Sequence, residues 1–213
     1  MKLDDRGQFL NLSGLLEGGL ILVAFLLGWI FDVNPVEHLR FSWAAVAWGT
    51  LAALPMFGLF VLSQRLKFNP LGRIRRFLLE TLGPSLAACR WYDLILLAAL
   101  AGLAEEILFR GLLHAWIEKG FESNTAGLIG SNLLFGLAHL ITPTYALFAG
   151  VMGLYLGFVF DATGERNLLI PITTHAVYDY LAFVMVVRSY RREYGEPDDA
   201  NGNQTADQDS TRL

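Results

Sequence analysis

The chain holds a single cysteine, Cys89, in 213 residues. That excludes an intrachain disulfide and any zinc site built from several thiolates. Charge is scarce too: only 17% of residues are charged against 54% hydrophobic, and the mean hydropathy is +0.44. A soluble domain needs more polar surface than that, so the profile is that of a multi-span membrane protein. No H-E-x-x-H occurs, which removes the usual zincin arrangement. Nor is there a basic excess. The net charge is -4, and residues 196–213 supply all of it, with Glu196, Asp198, Asp199, Asp207 and Asp209 against Arg212. The body is neutral, so no nucleic-acid partner is expected. There is no internal repeat and no sign of a second domain. The reading is one transmembrane domain over 1–194, followed by a polar acidic tail over 195–213 expected to be disordered.

What is there is apolar runs. Six are long enough to read as spans: 12–31, 41–63, 91–117, 125–141, 145–160 and 168–187. The first ends in Gly28-Trp29-Ile30-Phe31-Asp32 instead of a small-x-small cleavage site, so it reads as a retained helix and not a signal peptide. Pro55 predicts a kink in the second. Gly150, Gly153 and Gly157 give the fifth a small-residue face for close packing. Between the second and third spans, Arg65, Lys67, Arg73, Arg75, Arg76 and Arg90 face Glu80 alone. Leu71, Ile74, Phe77, Leu78 and Leu82 fall near one helical face there. The stretch reads as an interfacial amphipathic helix, with a basic loop as the alternative. The fold class is all-α, a polytopic bundle of about six transmembrane helices. The segments on the side of both termini hold twelve Lys and Arg and the opposite links three. Both termini are therefore expected on the cytoplasmic side of an inner, cytoplasmic-type membrane.

Three polar clusters interrupt these runs. Glu105, Glu106 and Arg110 stand in the third span, where each ionisable side chain costs about 2.5–3.5 kcal/mol at a helix centre and is usually paired or functional. Glu106 and Arg110, at i and i+4 with Glu first, have the favourable order for an ion pair. Glu105 is rotated about 100° away, has no cation at i+3 or i+4, and shares its face with Ala98, Ala101 and Gly102. One acid is neutralised and the other is free. A plain helix–helix ion-pair lock would need no second acid. His139 shares a face with Asn132 and Gly136, and alone it reads equally as an interhelical hydrogen bonder. His175 and Asp179 stand at i and i+4, which reads equally as a histidine tied to its own helix. Together, a carboxylate and two imidazoles suit hydrolysis by activated water. Glu105, His139 and His175 could instead ligate a divalent metal such as zinc, although no cofactor is firmly implied. His38 and His114 receive no role.

At these three places the sequence resembles the CPBP intramembrane proteases, which include the CAAX prenyl endopeptidases and bacteriocin-processing proteins. Glu105-Glu106-x-x-x-Arg110-Gly111 matches the first family motif, Phe135-x-x-x-His139 the second, and His175-x-x-x-Asp179 stands where the family has His followed by Asn or a similar residue. The resemblance covers a motif-bearing core over 91–187. It implies an all-helical membrane endopeptidase acting on a membrane-associated peptide or protein terminus, with the lipid bilayer as its other partner. It implies that Glu105 and His139 activate water, that His175 and the residue at 179 stabilise the oxyanion, and that Glu106 and Arg110 support the site. A metal-free glutamate mechanism is the favoured form.

Asp179 departs from the family pattern, because an ionised aspartate only accepts hydrogen bonds. It must stay protonated or orient His175, and the orienting role is the expectation. The depths disagree as well. Counted from the inner membrane face, Glu105 lies about 21 Å into its span at 1.5 Å per residue, while His139 lies near the inner end of its own. Two other functions fit six spans with intramembrane Glu and His. A catalytically silent scaffold regulating a partner would sooner lack Glu105 or His139. A small proton-coupled carrier would show two structural repeats.

Overall fold

The computed structural model describes residues 6–66 and 68–195; Lys67 and almost all of the expected acidic tail lie outside them. Among the described residues there is no strand. Helices α1 (Arg6–Phe31), α2 (Trp43–Arg65), α8 (Pro143–Asp161) and α9 (Leu169–Tyr194) are each long and apolar enough to cross a membrane. Between α2 and α8 the helices are of other kinds. The basic stretch is a helix and not a loop: α3 (Asn69–Phe77), a π-helical turn (Leu78–Leu82) and α4 (Gly83–Ala88) run on without a break. The motif-bearing third span is likewise one helical run, α5 (Trp91–Glu106), a π-helical stretch (Ile107–His114) and α6 (Ala115–Phe121). Helix α7 (Asn124–Ala138) has 15 residues, about 22 Å, short of the roughly 30 Å hydrocarbon core. Four of the six expected spans therefore meet the length and composition of a crossing helix by themselves.

The chain marks its own helix starts. Ser42, Ser123 and Thr142 each accept a hydrogen bond from the backbone N–H three residues on, and Pro143 occupies the first turn of α8, where no N–H is needed. At α5 the start is stapled to α1, with Arg6 donating twice to Asp93 at 2.6 and 2.7 Å.

Helix α9 is the hub, packed along α5 and α2, while α7 packs on α8 and on the π stretch 107–114. Burial follows this order: 44% of α9's most apolar window is buried against 11% of α1's, so α1 keeps most of its side chains for lipid. Glycines permit the closest approaches. A Cβ on Gly102 would lie 2.9 Å from Ile172 O and the Ala176 amide, and one on Gly49 2.6 Å from Ile170 O. The expected glycine face of α8 is in contact: a Cβ on Gly153 would lie 2.6 Å from Asn132 Oδ1, and one on Gly157 would overlap Leu128.

Gly111 is the tightest of all. A Cβ there would overlap the carbonyl of Pro35, backbone against backbone, in the link between α1 and α2. Neither partner can swing aside as a flexible side chain could. Gly111→Ala is expected to destabilise by about 1–3 kcal/mol or more, read as an earlier thermal unfolding in detergent. An unchanged melting temperature would show that the link yields freely.

The two ends of the bundle differ. At one, Phe31 stacks on Trp116 with centroids 4.4 Å apart, and Trp29, Phe41, Trp43 and Phe121 are exposed nearby in sequence. At the other, Leu66, Phe68, Trp91, Tyr92 and Tyr194 are exposed, and Arg75 pairs with Glu193 at 2.6 Å. Exposed aromatics at both ends suit two membrane–water interfaces.

Candidate active site

Gly102 brings α5 against α9, and this fixes where the next turn of α5 points. Glu106 and Arg110 are fully buried, and Arg110 Nη1 donates to Glu106 Oε1 at 2.8 Å. The same carboxylate oxygen takes His175 Nδ1 at 2.9 Å. A carboxylate only accepts, so His175 Nδ1 carries the hydrogen. Arg110 Nη2 donates to Asn132 Oδ1 at 2.8 Å and to Gly153 O at 2.7 Å. One guanidinium thus ties the π stretch of the third span to α7 and α8, and Glu106 ties it to α9.

Phe135 fills the space between the charged groups. Its ring lies 4.8 Å from the Arg110 guanidinium, stacks on His139 at 4.5 Å, and meets His175 edge-on at 6.2 Å. Its carbonyl accepts from His139 Nδ1 at 2.8 Å, which leaves Nε2 of His139 without the hydrogen when the ring is neutral. That nitrogen lies 3.7 Å from Glu105 Oε2. Glu105 Oε2 is buried and has no hydrogen-bond partner among the described residues.

The depths agree once counted from the turn that the two helices share. Glu105 stands 17 residues before Glu122, and His139 stands 16 residues after Ser123. No special tilt is needed: α7 is short, and the third span runs past the membrane end assumed for it.

His175 Nε2 faces Asp179 Oδ2 at 3.6 Å, beyond hydrogen-bond length. The tight partner of His175 is therefore Glu106, with Asp179 the more distant of its two carboxylate neighbours. A helical i,i+4 pair carries no guarantee of contact when a carboxylate on the facing helix comes closer. His139, His175 and Asp179 all line one cavity of about 170 Å³, walled otherwise mainly by apolar side chains of α2, α3, α8 and α9 with Tyr145 and Tyr178.

The proposed metal-ligand set of Glu105, His139 and His175 does not assemble. Among the described residues no three His, Cys, Asp or Glu are grouped to hold one ion. Both Nδ1 atoms are occupied, and the two Nε2 atoms face different carboxylates. Cys89 offers no alternative nucleophile, since burial first, and then the charge of Asp93, pushes its thiol up to about 11, which leaves it protonated at neutral pH.

Two features lie beyond the sequence reading. Glu17 of α1 has a buried oxygen without a hydrogen-bond partner among the described residues and is close enough to feel the charges of Glu105, His175 and Asp179. A lone acid in an apolar run was its only signal. At the far end of the bundle, His114 contacts Asn124 at 2.8 Å, and Arg166 binds Glu118, Asp161 and Asn124 at 2.7–3.1 Å. That cluster pins the 161–168 link and lies away from the cavity.

Residues 86–181 match the family model described as Type II CAAX prenyl endopeptidase Rce1-like. The matched span contains all three motifs, and the family agrees with the one the motifs resemble. Together with the four helices long and apolar enough to cross a membrane, it supports an integral membrane protein similar over that span to this family. No curated protein and no solved structure matches the chain.

Proposed function

From the match of residues 86–181 to the type II CAAX prenyl endopeptidases, we propose that this chain is an intramembrane endopeptidase. It hydrolyses a peptide bond in a membrane-associated peptide or protein terminus. The domain over 1–194 carries the site, in an inner membrane with both termini cytoplasmic, as the basic bias of the links suggests. One observation carries the reading. Side chains of the second and third motifs, Phe135, His139, His175 and Asp179, line one apolar-walled cavity, and the first motif backs them from behind, with Glu105 3.7 Å from His139 and Glu106 2.9 Å from His175.

In this mechanism Glu105 and His139 Nε2 hold a water between them at ordinary hydrogen-bond lengths of about 2.8 Å from each. An O–H bond of the water breaks, its proton passes to this pair, and the hydroxyl adds to the scissile carbonyl carbon. His175 presents Nε2 to the cavity, and in its protonated form that nitrogen donates to the oxyanion. The C–N bond then breaks, and the stored proton goes to the leaving amine. Glu106 and Arg110 hold His175 in place and act as positioning residues.

The test is cleavage of membrane-peptide libraries by the purified wild type and by Glu105→Ala. The wild type cuts and the variant does not, with a chelator leaving the rate unchanged. Equal cleavage, or none from either protein while both stay folded, would favour a silent scaffold.

Asp179 has a smaller part than Glu106 on this geometry. Asp179→Asn is expected to change kcat by less than about tenfold, roughly 1.4 kcal/mol, because Glu106 still holds Nδ1. Glu106→Gln, which disturbs both His175 and Arg110, costs more. A kcat series with the reverse order would return the orienting role to Asp179.

A further inference from the structure

The basic end of the bundle carries a second crevice, of about 460 Å³, between the end of α2, the π turn 78–82 and the end of α9. Arg65, Arg75 and Arg192 stand around it, with Phe60, Leu78 and Val186 among its apolar walls. Those three apolar residues also line the cavity that holds His139, His175 and Asp179, so the two spaces share a partition. Arg75 is held by Glu193. Arg65 and Arg192 are exposed and have no hydrogen bond or ion pair among the described residues.

The surroundings are not those of a soluble-ligand site. Leu62, Leu66 and Phe68 are 50–60% exposed beside Arg65, at the end of a helix long and apolar enough to cross the bilayer. Unpaired guanidinium groups around the crevice and open apolar side chains beside Arg65 in sequence are complementary to an amphiphile with an anionic head. A water-soluble anion would satisfy the arginines and leave the leucines and the phenylalanine uncovered.

We infer that this crevice binds the phosphate headgroup of an anionic phospholipid of the surrounding leaflet, and that the bound lipid steadies the partition beside the catalytic cavity. The coupling to catalysis rests on the proteolytic reading above; the lipid site does not. Each arginine near an anionic surface favours association by about fivefold, so the two free ones together predict a preference of tenfold or more over a zwitterionic lipid.

The test uses full-length protein in nanodiscs of phosphatidylcholine with or without phosphatidylglycerol, comparing wild type with Arg65→Gln/Arg192→Gln. Lipid retained after exchange into detergent is counted by mass spectrometry, and cleavage is measured on the same samples. Wild type should retain phosphatidylglycerol at least tenfold over phosphatidylcholine and cut several-fold faster with it. The double variant should lose both effects and keep the basal rate seen in phosphatidylcholine. Equal retention of both lipids, or undiminished retention by the double variant, would overturn the site. Displacement of the lipid by millimolar glycerol phosphate would reduce it to a general anion site. Selective retention with no change in rate would overturn the coupling alone. If no sample cuts any peptide, the proteolytic reading fails and the retention data still decide the lipid site.

Discussion

Glu105→Gln, reconstituted in lipid, is expected to lose cleavage by about 10²–10⁴-fold, the range for removing a general base, while unfolding no earlier than the wild type. The second half of that statement is as informative as the first. Glu105 Oε2 is buried without a hydrogen-bond partner among the described residues and only approaches His139 at 3.7 Å. Folding gains little from it and bears the desolvation of a carboxylate. An amide of the same shape removes that cost along with the basicity. Activity lost with stability kept marks a group placed for chemistry. Wild-type cleavage by the variant, or a large drop in its unfolding temperature, would reject the role.

Arg110→Met should show the opposite signature. The substitution keeps most of the side-chain volume but leaves Glu106 as a buried charge without its counterion. It also leaves Asn132 Oδ1 and Gly153 O without the donor that serves both. Breaking a buried pair from one side costs about 3–5 kcal/mol. Arg110→Lys should rescue little, because one ammonium cannot replace a planar fork that reaches three acceptors on different elements. Adding Glu106→Gln to Arg110→Met should recover part of the loss, since the stranded charge disappears. Chemical unfolding in detergent gives these differences, and a loss under about 1 kcal/mol for Arg110→Met would mean that water reaches Glu106. Because Glu106 also holds His175, activity should fall along with stability.

These contrasts show which parts of the molecule are legible in its sequence. The apolar runs locate α1, α2, α8 and α9, because lipid demands continuous hydrophobic length and the chain supplies it. The ion pair of Glu106 and Arg110 is legible from spacing alone, as is the glycine face of α8. The second partner of Glu106 is not. His175 lies 69 residues away, and helix periodicity ranks Asp179 above it as the local choice. Asn132 is an intermediate case: a primary amide in an apolar run must find a partner, but nothing local says that the partner is Arg110. The break of α5 into π-helix leaves no trace in the pattern, since eight residues are too few to separate two helical periods. The depth mismatch between Glu105 and His139 comes from measuring against an assumed membrane surface, when the chain itself offers the turn at 122–123 as the ruler.

The π-helical stretch has a consequence for how the gene for this protein can change. A π turn holds one residue more than the α turn it replaces. Removing a single residue from 107–114 would let the stretch close as α-helix and leave everything beyond it at nearly the same rotation relative to Glu105, whereas the same deletion in a plain α-helix would turn it by about 100°. Ser123 and α7 would still start from about the same side of the bundle, and His139 would stay on the side of Glu105. The π stretch therefore takes up one residue of length that a plain α-helix in its place would pass on as a turn of α7 about the bundle.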